Sequence, residues 1–334
     1  MDKQTTPIWV WGLLVAALTG VSSAGAILQH LDSVPPLLRA SWRLQATSVI
    51  LAPLAIWQWR TMEHDLRKRV FTPQAQKVIW LSGLALALHF GTWVPSLDKT
   101  SLTHSLLFVT AHPLVIVVGM VFLAKIMTNQ RSPTTFEVIG AVLGVLGAAI
   151  TLLDQGDVQG SHTVTAFGDF LAFLGAIFVV GYIVCGKILR SWMPIFIYAF
   201  PVTLISSILL IPASFILESS ASQFSPFGWI EMQYLPWFLL LAMIGGLLGH
   251  TGLNTCLRYM SPLTVSTAVT LEPLLGSLIG WLFFDTGVPG FWTWIGGPIL
   301  ITGILFVIFG TPESDVEIEN TMGKVPAQSN EAIQ

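Results

Sequence analysis

The chain contains 334 residues, of which 53% are hydrophobic and only 10% are charged, and its formal net charge is −3. This composition excludes a soluble globular protein and predicts a polytopic membrane protein. The longest basic stretch, residues 60–69 (RTMEHDLRKR), is too short and too mixed in charge for a nucleic-acid site. We therefore expect the chain to interact with the lipid bilayer and not with nucleic acid.

A transmembrane helix needs about 20 predominantly apolar residues to cross about 30 Å of hydrocarbon. Scanning the chain in order predicts ten such helices, and their long apolar runs lack the short alternation of porin strands. The predicted spans are 7–29, 35–58, 77–95, 101–124, 135–153, 166–187, 192–217, 235–257, 262–284 and 292–310. The predicted fold is therefore an all-α membrane protein with ten transmembrane helices.

Lys and Arg residues are distributed unevenly among the predicted loops. With both termini cytoplasmic, the outer loops contain only Lys99, and most other basic residues lie in the inner loops. This bias predicts a multi-pass protein of the plasma membrane, with a short cytoplasmic N-terminus at residues 1–6 and an uncleaved first span. The tail, residues 311–334, is polar, acidic and poor in aromatic residues, which predicts a disordered cytoplasmic segment.

The sequence also aligns with itself at an offset of about 160 residues. Each copy contains five spans, so the second copy must enter the membrane in the opposite orientation. This predicts two inverted five-helix repeats, at residues 7–153 and 166–310, which can open a central site to either side in turn. A chance match between apolar helices is the alternative. The aligned pairs include Val109 with Val269, Thr110 with Thr270, His112 with Glu272, Pro113 with Pro273, and Ser101 with Ser261.

Glu272 lies near the middle of the ninth predicted span, directly before Pro273. Proline has no backbone N–H, so Pro273 is expected to free the carbonyl of Val269, and Pro113 that of Val109. A carboxylate at this depth is costly unless it is protonated, paired or facing water, and burial favours the neutral form that a proton carrier uses. Glu272 is either a pathway residue or a protonated structural glutamate, and both interpretations stay open.

The stretch GHTGLNTCLRYMSPLTVSTAVTLEPLLGSLIGWLFF, residues 249–284, resembles the second repeat of the EamA-type family of the drug/metabolite transporter superfamily. Its family features are Gly249-His250-Thr251 with Asn254, followed by Glu272-Pro273. Residues 88–114 show the partner pattern of the first repeat. The resemblance covers about residues 8–310 and implies ten helices, two inverted repeats and a central solute cavity. Similar proteins export amino acids, other metabolites or toxic organic compounds, so the resemblance names no substrate.

Two features depart from the family pattern. Many relatives end the fourth and ninth helices with Gly-Glu, whereas this chain has Ala124-Lys125 and Phe284-Asp285. His112 also precedes its proline where a small polar residue is more usual. These differences make the transfer of any one relative's substrate unsafe.

Arg39 and Arg43 lie one turn apart on the same face of the second predicted span. Together they could bind a carboxylate or phosphate group of the solute in bidentate fashion. Alternatively, Arg39 extends to the lipid headgroups, and Arg43, which matches a common arginine of the family, pairs with an acid such as Asp169. The sequence favours the headgroup role for Arg39 and leaves both roles of Arg43 open.

Three histidines also lie within predicted spans. His89 and His250 lie at mirrored depths and could relay protons, but we favour a structural role in which His250 pairs with Asn254 at i, i+4. His112 is the better functional candidate because it occupies the position equivalent to Glu272. Trp93 lies one turn from His89 and could stack on a solute.

These features predict a secondary transporter that moves a small organic solute by alternating access through spans one, three, four, six, eight and nine. The solute is an amino acid, a related metabolite or a drug-like compound. Glu272 and His112 are placed at the centre of the pathway, and proton-coupled export is a hypothesis that rests on these two ionisable groups. The chain has no G-x-x-x-x-G-K-[ST] loop, so direct ATP drive is not expected.

Other classes fit the sequence less well. An intramembrane enzyme could use His89, His112 and His250 as metal ligands, but no H-E-x-x-H motif supports it, and we predict no enzyme activity, metal or cofactor. A non-transporting scaffold or receptor is the main alternative, and two inverted copies suit a channel less well than a carrier. The glycine stripe Gly140, Gly144 and Gly147 could support a homodimer, or it could pack inside the bundle.

Overall fold

The computed structural model of the protein describes residues 6–127, 130–154, 164–272, 274–275 and 290–312. Pro273, most of the later half of the ninth predicted span and the tail beyond residue 312 lie outside the described residues. Within them, the α-helices in chain order are α1 (Ile8–Ser22), α2 (Ala24–His30), α3 (Pro36–Thr61), α4 (His64–Val70), α5 (Pro73–Leu97), α6 (Leu102–Val109), α7 (His112–Ile126), α8 (Thr135–Thr151), α9 (Ala166–Arg190), α10 (Ile195–Leu217), α11 (Leu235–Leu240), α12 (Thr251–Cys256), α13 (Pro262–Val269) and α14 (Phe291–Gly310). A π-helix, Leu241–His250, joins α11 to α12.

Seven helical segments of the described chain are long and apolar enough to cross a membrane. They are Ile8–His30, Pro73–Leu97, His104–Ile126, Ala166–Arg190, Ile195–Leu217, Leu235–Cys256 and Phe291–Gly310. The fifth predicted span forms the shorter apolar helix α8. The chain is therefore an all-helical, multi-pass membrane protein over its described length.

The second predicted span also forms a helix, α3, although its hydropathy is too low for it to count among the seven apolar segments. Its polar side chains face other helices, because those of residues 39, 41, 43, 45, 47 and 48 are all buried. Polar groups inside a bundle avoid the cost of contact with lipid. Hydropathy alone therefore underestimates how well such a helix fits a membrane.

The headgroup role predicted for Arg39 is wrong. The Arg39 side chain is 0% exposed, and its Nη2 atom lies 2.6 Å from a carboxylate oxygen of Asp98, the residue that follows α5. A buried guanidinium needs an anionic partner, and Asp98 provides it at the end of the neighbouring helix. Arg39 therefore ties α3 to α5.

The fourth predicted span is interrupted in its middle. Helix α6 ends at Val109, and α7 begins at His112, so Thr110 and Ala111 form a break between them. Pro113 consequently lies in the first turn of α7, where a missing backbone N–H removes no helical hydrogen bond. The chain thus breaks this helix just before Pro113, one of the two prolines at which the sequence predicted a helix break.

Helices α6 and α13 correspond closely. Each has eight residues, and the two lie about 160 residues apart in the chain. Ser101 precedes α6 and accepts a hydrogen bond from the backbone N–H of His104, while Ser261 does the same for Thr264 before α13. The self-alignment of the sequence thus corresponds to the same capped helix in both halves of the chain.

The glycine stripe of α8 packs inside the chain, against α14. A Cβ atom on Gly140 would lie 2.6 Å from the carbonyl oxygen of Gly303, and one on Gly296 would lie 2.6 Å from that of Gly147. The two helix backbones can approach this closely only because both present glycine at the contact. The glycine stripe therefore forms a helix–helix contact within one copy of the chain.

Candidate functional site

A cavity of about 70 Å³ lies at the centre of the described bundle. All seven side chains that the sequence assigned to a solute pathway line it: Arg43, His89, Trp93, His112, His250, Asn254 and Glu272. The six spans expected to form the cavity each contribute to its wall, and α3 adds Arg43. Apolar residues such as Val109, Val179, Ile183 and Val269 form much of the remaining wall.

Arg43 and Glu272 are the charged residues of this wall. Both are buried and line the same cavity. No direct ion pair joins them in the described part of the chain. The Arg43 guanidinium carbon instead lies 4.5 Å from the ring centroid of Phe90, which is a cation–π distance.

The predicted alternative partner of Arg43 lies elsewhere. Asp169, in the first turn of α9, accepts a hydrogen bond of 2.8 Å from the Thr100 hydroxyl and lies 3.1 Å from His104 Nδ1. The proposed pairing of Arg43 with Asp169 is therefore not observed. Arg43 faces the cavity, and its acidic neighbour there is Glu272.

His89 is fixed by a hydrogen bond and by ring stacking. Its Nδ1 atom lies 2.9 Å from the carbonyl oxygen of Gly175, and since a carbonyl only accepts, Nδ1 carries the proton. In the neutral imidazole, Nε2 is then an acceptor. The ring stacks on Trp93 at a centroid distance of 5.9 Å and an interplanar angle of 14°. Trp93 thus lies next to His89, as its spacing predicted.

His112 and His250 have different surroundings. His112 Nδ1 lies 2.5 Å from the Ser266 hydroxyl, a contact between α7 and α13. The His250 ring faces the rings of His89 and Phe90, with centroid distances of 6.3 and 5.3 Å. Asn254 donates to the backbone carbonyl of His250, so the predicted i, i+4 pair forms through the backbone of His250 and leaves its imidazole in the aromatic cluster.

Tyr182 is a cavity residue that the sequence analysis did not identify. It lies on α9, and its hydroxyl accepts a hydrogen bond of 2.5 Å from the side-chain amide of Asn254. The chain contains only four tyrosines, so a tyrosine within a long apolar span was a usable signal. Buried tyrosine hydroxyls normally find a partner, which also points to a polar neighbour.

Helix α9 also contacts one connection between helices at each of its ends. The first connection, residues 98–101, joins α5 to α6, and Asp169 holds it as described above. Thr165, just before α9, donates to the carbonyl of Lys99 in the same connection. The second connection, residues 257–261, joins α12 to α13. Lys187, near the end of α9, donates to the carbonyls of Leu257 and Met260 at 2.8 and 3.0 Å.

The histidines of the cavity do not form a metal-binding group. Among the described residues, no set of three His, Cys, Asp or Glu side chains is placed to hold a metal ion.

Comparison with known families identifies the second half of the chain. Residues 166–309 match the model of the EamA-like transporter family. The predicted resemblance to the EamA family is thereby confirmed for residues 166–309. No curated protein sequence matches the chain. A solved structure titled "Crystal structure of protein" has the same fold, with a TM-score of 0.67 and 14% sequence identity, and the match covers 92% of this chain and 99% of that one. At this identity the likeness concerns the fold alone.

Proposed function

We propose that this EamA-family membrane protein is a secondary transporter, which moves a small organic solute through the central cavity by alternating access. The convergence of seven polar and aromatic side chains, six of them buried, from both halves of the chain on one cavity carries this proposal. Such groups are costly within a membrane and typically face an internal pathway. An apolar wall with a few convergent polar groups is also typical of a small-molecule site.

The positions of the two connections support an inverted repeat. The first and second connections are equivalent in the self-alignment, since each precedes a serine-capped eight-residue helix. They contact opposite ends of α9, near Asp169 and Lys187, which lie roughly 27 Å apart at 1.5 Å per residue. Equivalent parts of the two halves therefore lie at opposite ends of one helix. Two inverted repeats, at residues 7–153 and 166–310, explain this arrangement.

The cavity is smaller than a typical binding site for a small organic molecule. A volume of about 70 Å³ accommodates a few water molecules, whereas small-molecule pockets usually measure roughly 300–1,000 Å³. Both connections are also fastened to α9. We infer that a solute enters only after one end of the bundle opens, and that Glu272 and His112 supply the ionisable groups for proton-coupled export.

Counterflow in proteoliposomes tests the transport function. Vesicles loaded with an unlabelled metabolite mixture should accumulate labelled solutes of one chemical class by exchange. We expect Glu272→Gln to abolish this exchange or to remove its dependence on pH, because the substitution removes the ionisable carboxyl group from the cavity. Glu63→Gln, at an exposed position outside the spans, is the matched control.

Each other outcome has a defined meaning. Exchange that survives Glu272→Gln unchanged would make Glu272 a structural residue and contradict the coupling role. The absence of exchange for every class tested would contradict transport and favour the scaffold or receptor interpretation.

A further inference from the structure

Three buried polar atoms of the cavity residues have no hydrogen-bond partner among the described residues. They are Nη1 of Arg43, Nε1 of Trp93 and Oδ1 of Asn254. The side chains are 1%, 5% and 1% exposed, respectively. Oδ1 of Asn254 packs against Gly186 of α9, where a Cβ atom would lie 2.6 Å from it. A buried polar atom left without a partner costs free energy, so the two donors of Arg43 and Trp93 indicate groups that a ligand satisfies.

The donors and the acceptor are well defined. Arg43 and Trp93 can only donate hydrogen bonds through these atoms. The orientation of the Asn254 amide is fixed because its nitrogen donates to the carbonyl of His250, which cannot donate in return. Its Oδ1 atom is therefore an acceptor. A ligand that satisfies the site must present an acceptor to Arg43 and Trp93.

The arginine and the tryptophan lie around one ring. The Arg43 guanidinium lies over Phe90, whose ring centroid is 5.9 Å from that of Trp93. A planar anion that accepts from both side chains would be bound by a positive charge and a neutral donor together. Guanidinium groups bind carboxylates in this manner, and a charge-assisted hydrogen bond is about twice as strong as a neutral one.

We propose that the transported solute is a small organic carboxylate, bound through its carboxylate group by Arg43 and Trp93. This inference rests on the transport function proposed above and names the chemical class of its solute. The apolar wall formed by residues such as Val109 and Val269 accommodates a short hydrocarbon body. An organic cation would place its charge beside Arg43, which opposes its binding.

A set of probes with matched carbon chains tests the class directly. Binding of 2-hydroxybutyrate, 2-hydroxybutyramide and 1-amino-2-butanol to the purified full-length protein would be measured by calorimetry. The three probes share a four-carbon chain and a hydroxyl group, and they carry an anionic, a neutral and a cationic head group. We expect the carboxylate to bind at least about tenfold more tightly than the amide, and the amine to bind most weakly.

Two variants assign the binding to the proposed residues. Arg43→Gln should remove the preference for the carboxylate over the amide. Trp93→Phe, which keeps a ring and removes the N–H group, should weaken carboxylate binding about tenfold. Exposed residues of the same types serve as controls, through Arg60→Gln and Trp57→Phe. Thermal unfolding of each variant in detergent separates loss of binding from loss of folding.

The proposal is overturned if the amide or the amine binds as tightly as the carboxylate, if none of the three probes binds, or if Arg43→Gln leaves the preference unchanged. These outcomes are distinct from a failure of the transport function. In the counterflow assay, exchange of neutral or cationic solutes would overturn the carboxylate class alone, while the absence of all exchange would overturn transport.

Discussion

The two connections contacted by α9 are held in different ways. The first connection is held at a side chain and at its backbone, because Asp169 accepts a hydrogen bond from Thr100 and the Thr165 hydroxyl donates to the carbonyl of Lys99. The second connection is held through its backbone, because Lys187 donates to two of its carbonyl oxygens. A carboxylate therefore fastens one end of the bundle, and a cation fastens the other.

This difference follows from the helix ends at each contact. The second connection begins where α12 ends, and the last carbonyls of a helix have no partner within that helix. A lysine ammonium satisfies these acceptors and interacts favourably with the helix dipole. At the first connection the Thr100 hydroxyl faces α9 and needs an acceptor, which Asp169 provides. We infer that each end opens when its own contact breaks.

Substitution Lys187→Met should have the largest effect on this pair of contacts. It keeps much of the side-chain volume but removes two charge-assisted hydrogen bonds, and so frees the second connection. Cys256, which is 0% exposed directly before this connection, is a native reporter. In a Cys185→Ser background, we expect its rate of maleimide labelling to rise at least about tenfold.

The control for this prediction is Lys68→Met, because Lys68 has an exposed side chain and lies outside the spans. An unchanged labelling rate of Cys256 in Lys187→Met would show that the lysine does not keep the second connection closed.

Substitution Asp169→Ala should open the end at the first connection, with a somewhat smaller effect. It removes the acceptor of the Thr100 hydroxyl, while the His104 contact contributes a full ion pair only when the histidine is protonated. Leu97 is 0% exposed and directly precedes this connection, so Leu97→Cys provides a reporter. We expect labelling of this cysteine to rise about five- to tenfold.

Asp32→Ala is a suitable control, since Asp32 is an exposed acid between α2 and α3. If the Leu97→Cys reporter is labelled at the same rate in Asp169→Ala and in the control, the Asp169 carboxylate does not keep the first connection closed.

Substitution Thr100→Val should have the smallest effect of the three. It removes the hydrogen bond of 2.8 Å to Asp169 and a longer one of 3.4 Å from the backbone N–H of Thr165, and it leaves the His104 contact in place. We expect labelling of the Leu97→Cys reporter to rise about two- to fivefold. Thr302→Val removes an exposed hydroxyl that bonds within its own helix, and should leave labelling unchanged. An effect of Thr100→Val larger than that of Asp169→Ala would contradict the ordering.

The sequence predicted the helical membrane class and much of the cavity wall. Long apolar runs predict spans because their side chains face lipid, and Glu272 or His89 were recognisable because a polar residue within such a run needs an internal position. The self-alignment also predicted that residues about 160 apart would have equivalent local structure, and the caps at Ser101 and Ser261 agree with this.

Contacts between distant residues could not be predicted in the same way. The pairing of Arg39 with Asp98 depends on how α3 packs against α5, and a local pattern carries no information about that packing. The π-helix Leu241–His250, which leads directly to Asn254, likewise has no sequence signal comparable to a cap. The suggested pairing of Arg43 with Asp169 is not observed, because the sequence gives the depth of a residue along its span but not its rotation about the helix axis.

Alternating access can be tested by labelling both ends of the bundle in the same set of variants. Labelling of the Leu97→Cys and Cys256 reporters would be compared in Lys187→Met, in Asp169→Ala and in the unsubstituted protein. The account predicts reciprocal changes: Lys187→Met should raise labelling of Cys256 and lower that of the Leu97→Cys reporter, and Asp169→Ala should do the reverse. Labelling that rises at both ends in either variant would contradict a cavity that opens to one side at a time.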